Sequence, residues 1–417
     1  MQQPTGRGRP LPPAGGQPPA LTLDQVFAHT AHRHPRRVAI QDGWHRLTYA
    51  QAERQALRLA SALVLGGVQL GDPLVVHCDN HRQALVAQLG VLKAGGVCVP
   101  ALRGPGGVAA AARHTGARAV LCSRATYDRG VTGIPSMALD DRHTWRKIAA
   151  APLEPALPRS CPESGAHLLF HTRGAARLID HRSWLRSAAD RSHRAGMPAG
   201  TVTVDQAPMS RTALAAMWWA FSSGATLHTA PWNPDPVWPL VGAGDSVAVL
   251  APDEYARHLD ALPPHRGRAA TGTGAPGTVV LIGSPCSRAL VNRHFAIRPG
   301  TRLWSEFAPT DGAVPWTAHE LFADDGVRPH EPGAGSPVPP VRLRVVGARG
   351  ESLPQGAVGA IVAIGPPWFP EDVQHSGWYG CWTSDHTLDI TGRPPREPGP
   401  EHPHRSVLAG RPTMEVT

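Results

Sequence analysis

From Leu21 onward, apolar positions recur at two alternating spacings. AQAERQALRLASALVLGG, residues 50–67, repeats apolar side chains every three or four positions and closes on glycines, which predicts an amphipathic helix with a glycine C-cap. The unbroken run LVVHC at 74–78 predicts a buried strand. QALVAQLGVLKAGG then predicts a helix ending at Gly95 and Gly96, VCVPA a further strand, and GVAAAARHTG with RAVLCS repeat the pair. Alternation at this spacing predicts βαβ units, that is, a parallel sheet covered by helices on both faces.

A second series follows the proline-rich connection APLEPALPRSCPESG. HLLFHT (167–172), TVTVDQAP, SVAVLAP, TVVLIGS and RLWSEFAP predict strands, and they alternate with helical HRSWLRSAADRSHRAG, TALAAMWWAFSSG, EYARHLDAL and SRALVNRHF. Between Gly333 and Pro366 the pattern changes to short β runs separated by turn residues. The expected fold class is α/β, with two parallel α/β halves plus a small β subdomain. The expected divisions are a disordered N-terminus at 1–20, α/β subdomains at 21–195 and 196–330, the β subdomain at 331–392, and a linker-like end at 393–417.

Composition narrows the class. In 417 residues, 41% hydrophobic content supplies a sizeable core, while 44 Gly and 44 Pro predict long loops around it. The absence of a Gly-x-y period excludes collagen. The net charge of +9 is strewn along the chain without a basic block or interleaved aromatics, so nucleic-acid binding is not expected. Of the 41 basic residues only Lys93 and Lys147 are lysines. The six cysteines form no C-x-x-C pair, which suggests neither a zinc ribbon nor a disulfide framework, and the N-terminus lacks a secretory apolar core. With no run long enough to span a membrane, a cytoplasmic protein is expected.

Isolated chemical signals are few. His167 and His171 share a strand face at a spacing wrong for a helical zinc pair. Cys286 sits at a strand-to-helix turn, where a helix N-terminus can activate a thiol. TGTGAPG has the glycines of a phosphate loop without a following lysine.

Five segments in order resemble motifs of the adenylate-forming superfamily, the AMP-dependent synthetases and ligases that include acyl-CoA synthetases and nonribosomal peptide synthetase adenylation domains. They are LTYAQAERQALRLASAL, VLKAGGVCVPA, SEFAPTDGAV, GAVGAIVAIGPP and SDHTLDITGR, which together cover 21 to about 393. The resemblance implies the fold of the large N-terminal part of those enzymes. It also implies their chemistry: a carboxylate attacks the α-phosphate of ATP, and the acyl group then passes to a thiol. That step needs positioned cations and donors to hold pyrophosphate.

Residue by residue, the match is uneven. The family's phosphate loop aligns with TRGAARLIDH, where Thr172, Gly174 and His181 remain, Arg173, Ala175 and Ala176 replace hydroxyl residues, and the Pro-Lys-Gly unit is missing. Arg173 and Arg177 are fork donors able to hold a phosphate. At the ribose position, where the family carries an aspartate, stands Trp378, and an indole has no acceptor for two hydroxyls. Phe307 stands for the adenine-stacking tyrosine and is followed by Ala308, Pro309 and Thr310. Asp311 replaces a glutamate as the residue that would meet Mg²⁺. The resemblance places the acyl pocket at Arg211, Trp218, Gly283 and Ala308, with Arg211 in place of an ammonium-pairing aspartate and suited to a carboxylate or phosphate. Trp218 also fits a core position. The hinge position is Arg393, beyond which VLAGRPTMEV resembles the stub of the family's C-terminal subdomain.

These departures lead to the expectation of a truncated, degenerate member, non-catalytic or weakly active, a pseudoenzyme of secondary metabolism that binds an acyl or aminoacyl group, an acyl or peptidyl carrier protein, or another biosynthetic enzyme. No cofactor is expected, with ATP and Mg²⁺ entering only if activity is retained. The alternative is a divergent carboxylate-activating ligase completed by a C-terminal subdomain supplied in trans.

Overall fold

The protein is described from a computed structural model, over residues 21–101, 106–127, 133–154, 156–170, 176–198, 200–229, 245–262, 276–309, 314–339, 341–364 and 373–392. The chain opens with α1 (Leu23–Arg33), the hairpin β1 (Val38–Asp42) and β2 (His45–Thr48), and α2 (Tyr49–Leu65). Next come β3 (Pro73–His77), α3 (His81–Lys93), β4 (Val97–Pro100), α4 (Gly107–Thr115), β5 (Ala119–Cys122), β6 (Ser136–Ala138) and α5 (Arg142–Ala150). The middle contains β7 (Gly165–Phe170), β8 (Ala176–Asp180), α6 (His181–Ala195), β9 (Thr201–Val204), α7 (Arg211–Ser223), β10 (Thr226–Thr229), β11 (Val247–Leu250) and α8 (Pro252–Asp260). It continues through β12 (Thr278–Gly283), α9 (Arg288–Ile297), β13 (Arg302–Phe307), β14 (Thr317–Leu321), α10 (Ala323–Val327) and β15 (Ser336–Pro337), and ends with β16 (Arg342–Val346), β17 (Gly359–Ile364), β18 (Gln374–Trp382) and β19 (Leu388–Gly392).

Local chemistry starts the helices where the hydrophobic pattern puts them. Thr48 and Gln51 form a reciprocal capping box on α2. Asn80, Asp180, Ser210 and Ser287 each accept a backbone N–H at the start of α3, α6, α7 and α9.

Three sheets result. The largest runs β15-β14-β13-β12-β11-β9-β10-β1-β2, parallel from β13 to β1 and antiparallel at both edges. The second runs β6-β5-β3-β4-β7-β8, parallel except for the β7–β8 pair. The third, β16-β17-β18-β19, is wholly antiparallel. The α/β architecture with a small β sheet is therefore as expected. α3 touches strands of both large sheets and is buried nearly all round, as a helix between two layers must be. Its Gly90 admits α2, because a Cβ there would stand 2.6 Å from the Leu59 side chain.

Sheet membership departs from order along the chain. β1 and β2, inside the stretch 21–195 expected to form a first subdomain, belong to the nine-stranded sheet, and β15, inside 331–392, pairs with β14. The cause is tertiary. Phe27, Tyr49 and Phe221 pack ring against ring, Tyr49 Oη donates to the Ala225 carbonyl at 2.7 Å, and β1 aligns beside β10. Within 172–181, the stretch aligned with the phosphate loop, 176–180 form β8 against β7 and Asp180 caps α6. The expected segments 1–20 and 393–417 lie outside the described residues, and no helix among those described is long and apolar enough to cross a membrane.

Candidate functional site

The central strands of the nine-stranded sheet end at one edge. Gly283 closes β12 opposite Phe307 of β13, and Ala308 donates its N–H to the Gly283 carbonyl at 3.0 Å. Gly283 holds φ +128, a conformation side chains rarely adopt. The runs TVVLIG and RLWSEF form these strands, and their parallel register brings Gly283, Phe307 and Ala308 together from separate segments.

Phe307 is enclosed. It is 1% exposed and Ala308 3%, so neither presents a free face. The indoles of Trp316 and Trp378 each meet the Phe307 ring edge to face, with centroids 6.2 Å away at 83° and 81°. Trp316 is anchored through its backbone N–H to the Phe307 carbonyl at 2.7 Å. Trp378 follows Gly377, whose φ of +73 turns β18, and its backbone N–H donates to Ser376 Oγ at 2.9 Å. The tryptophan aligned with the ribose aspartate is thus seated against the residue aligned with the adenine tyrosine.

Beneath Phe307 lies a buried ion pair. Glu306 accepts from Arg191 Nε of α6 at 2.8 Å, and Arg194 Nη2 stands 3.4 Å from its second oxygen while also meeting Asp190. Arg191 and Glu306 are each about 1% exposed. The guanidinium of Arg194 also lies 5.9 Å from the Trp304 ring centroid. Neither this pair nor Trp316 was singled out from sequence. The signal was there: a carboxylate in a strand expected inside the parallel sheet requires a cation, and Arg191 and Arg194 stand one turn apart on one helix face.

The remaining candidates separate. Arg211 begins α7 and donates through Nη2 to the Phe170 carbonyl, 2.9 Å away at the end of β7. Trp218 is buried farther along α7 between His167 and Phe221, so its core role is the one the structure displays. Pro309 continues from Ala308 and is half-buried. Thr172, Gly174, Thr310, Asp311 and Arg393, with Arg173, lie outside the described residues.

Other sequence signals resolve into packing. Cys286 is buried, and burial pushes its thiol up to about 12, so the helix N-terminus does not activate it. The cap of α9 is its neighbour Ser287. His181, aligned with the family histidine, accepts the Leu23 N–H on Nδ1 at 3.1 Å, and burial pushes its pKa down to about 4. Lys93 pairs with Glu53 at 2.7 Å between α3 and α2. Among the described residues no group of three His, Cys, Asp or Glu side chains is placed to hold a metal.

The family model described as "AMP-binding enzyme" matches residues 27–164 and 177–370. The chain belongs to this family. Among curated relatives, phosphinothricin tripeptide synthetases PhsC and PhsB of Streptomyces viridochromogenes are 27% and 28% identical, over 82% and 84% of this chain. The chain spans only 31% and 30% of their length. A linear gramicidin synthase of Brevibacillus parabrevis is 41% identical over 87 residues, 21% of this chain and 1% of the synthase. The fold also matches solved structures. The nonribosomal peptide synthetase FmoA3 in its AMPPNP-bound form superposes with a TM-score of 0.77 at 21% identity, covering 91% of this chain and 43% of that one. A benzoate CoA ligase from Burkholderia xenovorans gives 0.76 at 19%, covering 89% and 80%. An artificially fused adenylation–PCP di-domain from Klebsiella oxytoca gives 0.73 at 15%, covering 90% and 79%. The chain is therefore an adenylation-domain-like and acyl-CoA-ligase-like member of the AMP-binding family.

Proposed function

We propose that this AMP-binding family member is a non-catalytic binding protein of the adenylation-domain type, whose nucleotide seat is occupied by its own side chains. One observation carries the reading: Trp378 and Trp316 pack nearly perpendicular against Phe307, leaving it 1% exposed. A stacking residue recognises a nucleobase through an open ring face, and a ribose-binding position needs an oxygen acceptor that indole lacks. The break between the two family-matched segments, 165–176, supports the same reading because it includes the altered TRGAA stretch. Arg211, at the start of α7, suits a carboxylate or phosphate on the bound group rather than an ammonium.

The partner in this reading is a carrier protein of secondary metabolism. The names of the synthetase relatives and of the fused adenylation–PCP di-domain support that assignment, and a basic chain of net charge +9 complements an acidic carrier surface. Calorimetric titration with ATP and Mg²⁺ tests the central claim. No binding heat is expected, and submicromolar affinity overturns it. A pyrophosphate-exchange assay across a panel of carboxylic acids is expected to stay at background. Exchange above background would establish the carboxylate-activating ligase instead.

A further inference from the structure

His167 of β7 is wholly buried, with its ring meeting Trp184 of α6 and Trp218 of α7 at centroid distances of 5.4 and 6.1 Å. Burial, with a smaller contribution from the charge of His181, pushes its pKa down to about 3, so the ring is neutral and carries a single N–H. Nε2 faces Gln88 Oε1 at 3.0 Å, while the Gln88 amide N–H points to Met217 Sδ at 3.8 Å. Nε2 is therefore the protonated nitrogen, and Nδ1 is an acceptor.

Among the described residues that acceptor has no partner, and neither do the buried indole N–H groups of Trp184 and Trp218. Two further buried groups without one lie on α6 at steps of three residues from Trp184: the Ser187 hydroxyl and Nε2 of His181. The second is a donor, because Nδ1 of His181 accepts from Leu23. His167 and the two rings packed on it thus carry a bare ring nitrogen and two N–H donors, and α6 adds a further N–H and a hydroxyl, each of which is costly to leave unbonded away from water.

We propose that an ordered internal water molecule sits between β7, α6 and α7, donating to Nδ1 of His167 and accepting from the indole N–H groups of Trp184 and Trp218. Water supplies both halves of what is missing, a proton for the ring nitrogen and two lone pairs for the indoles. A metal cation would find one lone pair among N–H donors. An anion would satisfy the indoles but meet the lone pair of Nδ1. The position also gives the water a structural role. Because β7 leads into 171–175 and α6 begins at His181, the water joins the two flanks of the segment aligned with the phosphate loop.

The test uses the full chain labelled with ¹⁵N. Indole N–H peaks of Trp184 and Trp218 are assigned by their disappearance in W184F and W218F. Cross-relaxation from a long-lived water to both peaks in the unsubstituted protein is the expected result, together with a crystallographic water about 2.7–3.2 Å from all three nitrogens. Absence of water cross-relaxation at both indoles overturns the proposal. So does an anomalous peak at the site in bromide-soaked crystals, which would identify an anion.

Discussion

The α2–α3 corner and the β13–β18 corner both carry motif segments of the AMP-binding family, and they have been treated differently. At the first, Tyr49 reaches the Ala225 carbonyl, Lys93 pairs with Glu53, and Gly90 lets α2 approach. These residues act on the protein itself. At the second, strand ends and the buried Glu306–Arg191 pair persist, while the positions aligned with nucleotide contacts hold Phe307 and Trp378 packed on each other. A fold keeps the residues its core needs independently of those a ligand needs.

The largest expected effect comes from removing the support under the second corner. Glu306→Ala deletes the carboxylate facing Arg191 and Arg194 in a site about 1% exposed and is expected to lower stability by about 3–5 kcal/mol, read as a urea midpoint shift at constant slope. A smaller loss would mean that the pair matters less than its burial implies.

Acid tests both corners through the frame they share. Burial pushes His167 down to about 3, and His181 and His294 each to about 4, below the unfolded value of about 6.5. Unfolded chains therefore take up protons first as pH falls. The stability these three imidazoles contribute is complete above pH ~6.5 and declines toward pH ~4, by up to about 1.4 kcal/mol per pH unit for each, while Glu254, whose carboxyl burial pushes up to about 7, contributes the opposite slope. Denaturant midpoints between pH 7.5 and 4.5 in Glu254→Gln, which removes the opposing carboxylate, check this, and a flat profile there refutes it.

Lys93→Met challenges the first corner. Burial already raises the Glu53 carboxyl and Lys93 opposes that rise, so losing the ammonium is expected to cost about 1.5–3 kcal/mol without changing the response to ATP. Trp378→Ala probes the second corner. It is expected to cost about 2 kcal/mol, less than a fully buried aromatic because Trp378 is only half-buried, and to uncover Phe307. Increased quenching of tryptophan emission by added nucleotide in this variant alone would show that the indole had closed the seat. Least of all, Ser210→Ala removes the cap of α7 ahead of Arg211, an expected loss of about 1 kcal/mol by thermal unfolding.

Much of this was legible in the residue pattern because helices and buried strands announce themselves over short spans. LVVHC, TVVLIG and TALAAMWWAFSSG became β3, β12 and α7 within a few residues. That an indole stands at residue 378 was equally readable, since side-chain chemistry is local. Less visible was the partnership of Glu306 with Arg191, whose residues stand 115 positions apart, and the transfer of β1 and β2 to the larger sheet. A hairpin pairs with its neighbour for local reasons, but its place beside β10 depends on the aromatic contacts of Phe27, Tyr49 and Phe221.

Periodicity and functional groups belong to the chain, so the α/β class, the family motifs and an indole without an oxygen acceptor at residue 378 were set before any folding. The placing of the Trp378 indole against Phe307, and the burial of an ion pair beneath it, were not. Edge-to-face packing and charge pairing act over a few ångströms, and only the folded arrangement brings these distant residues within that range.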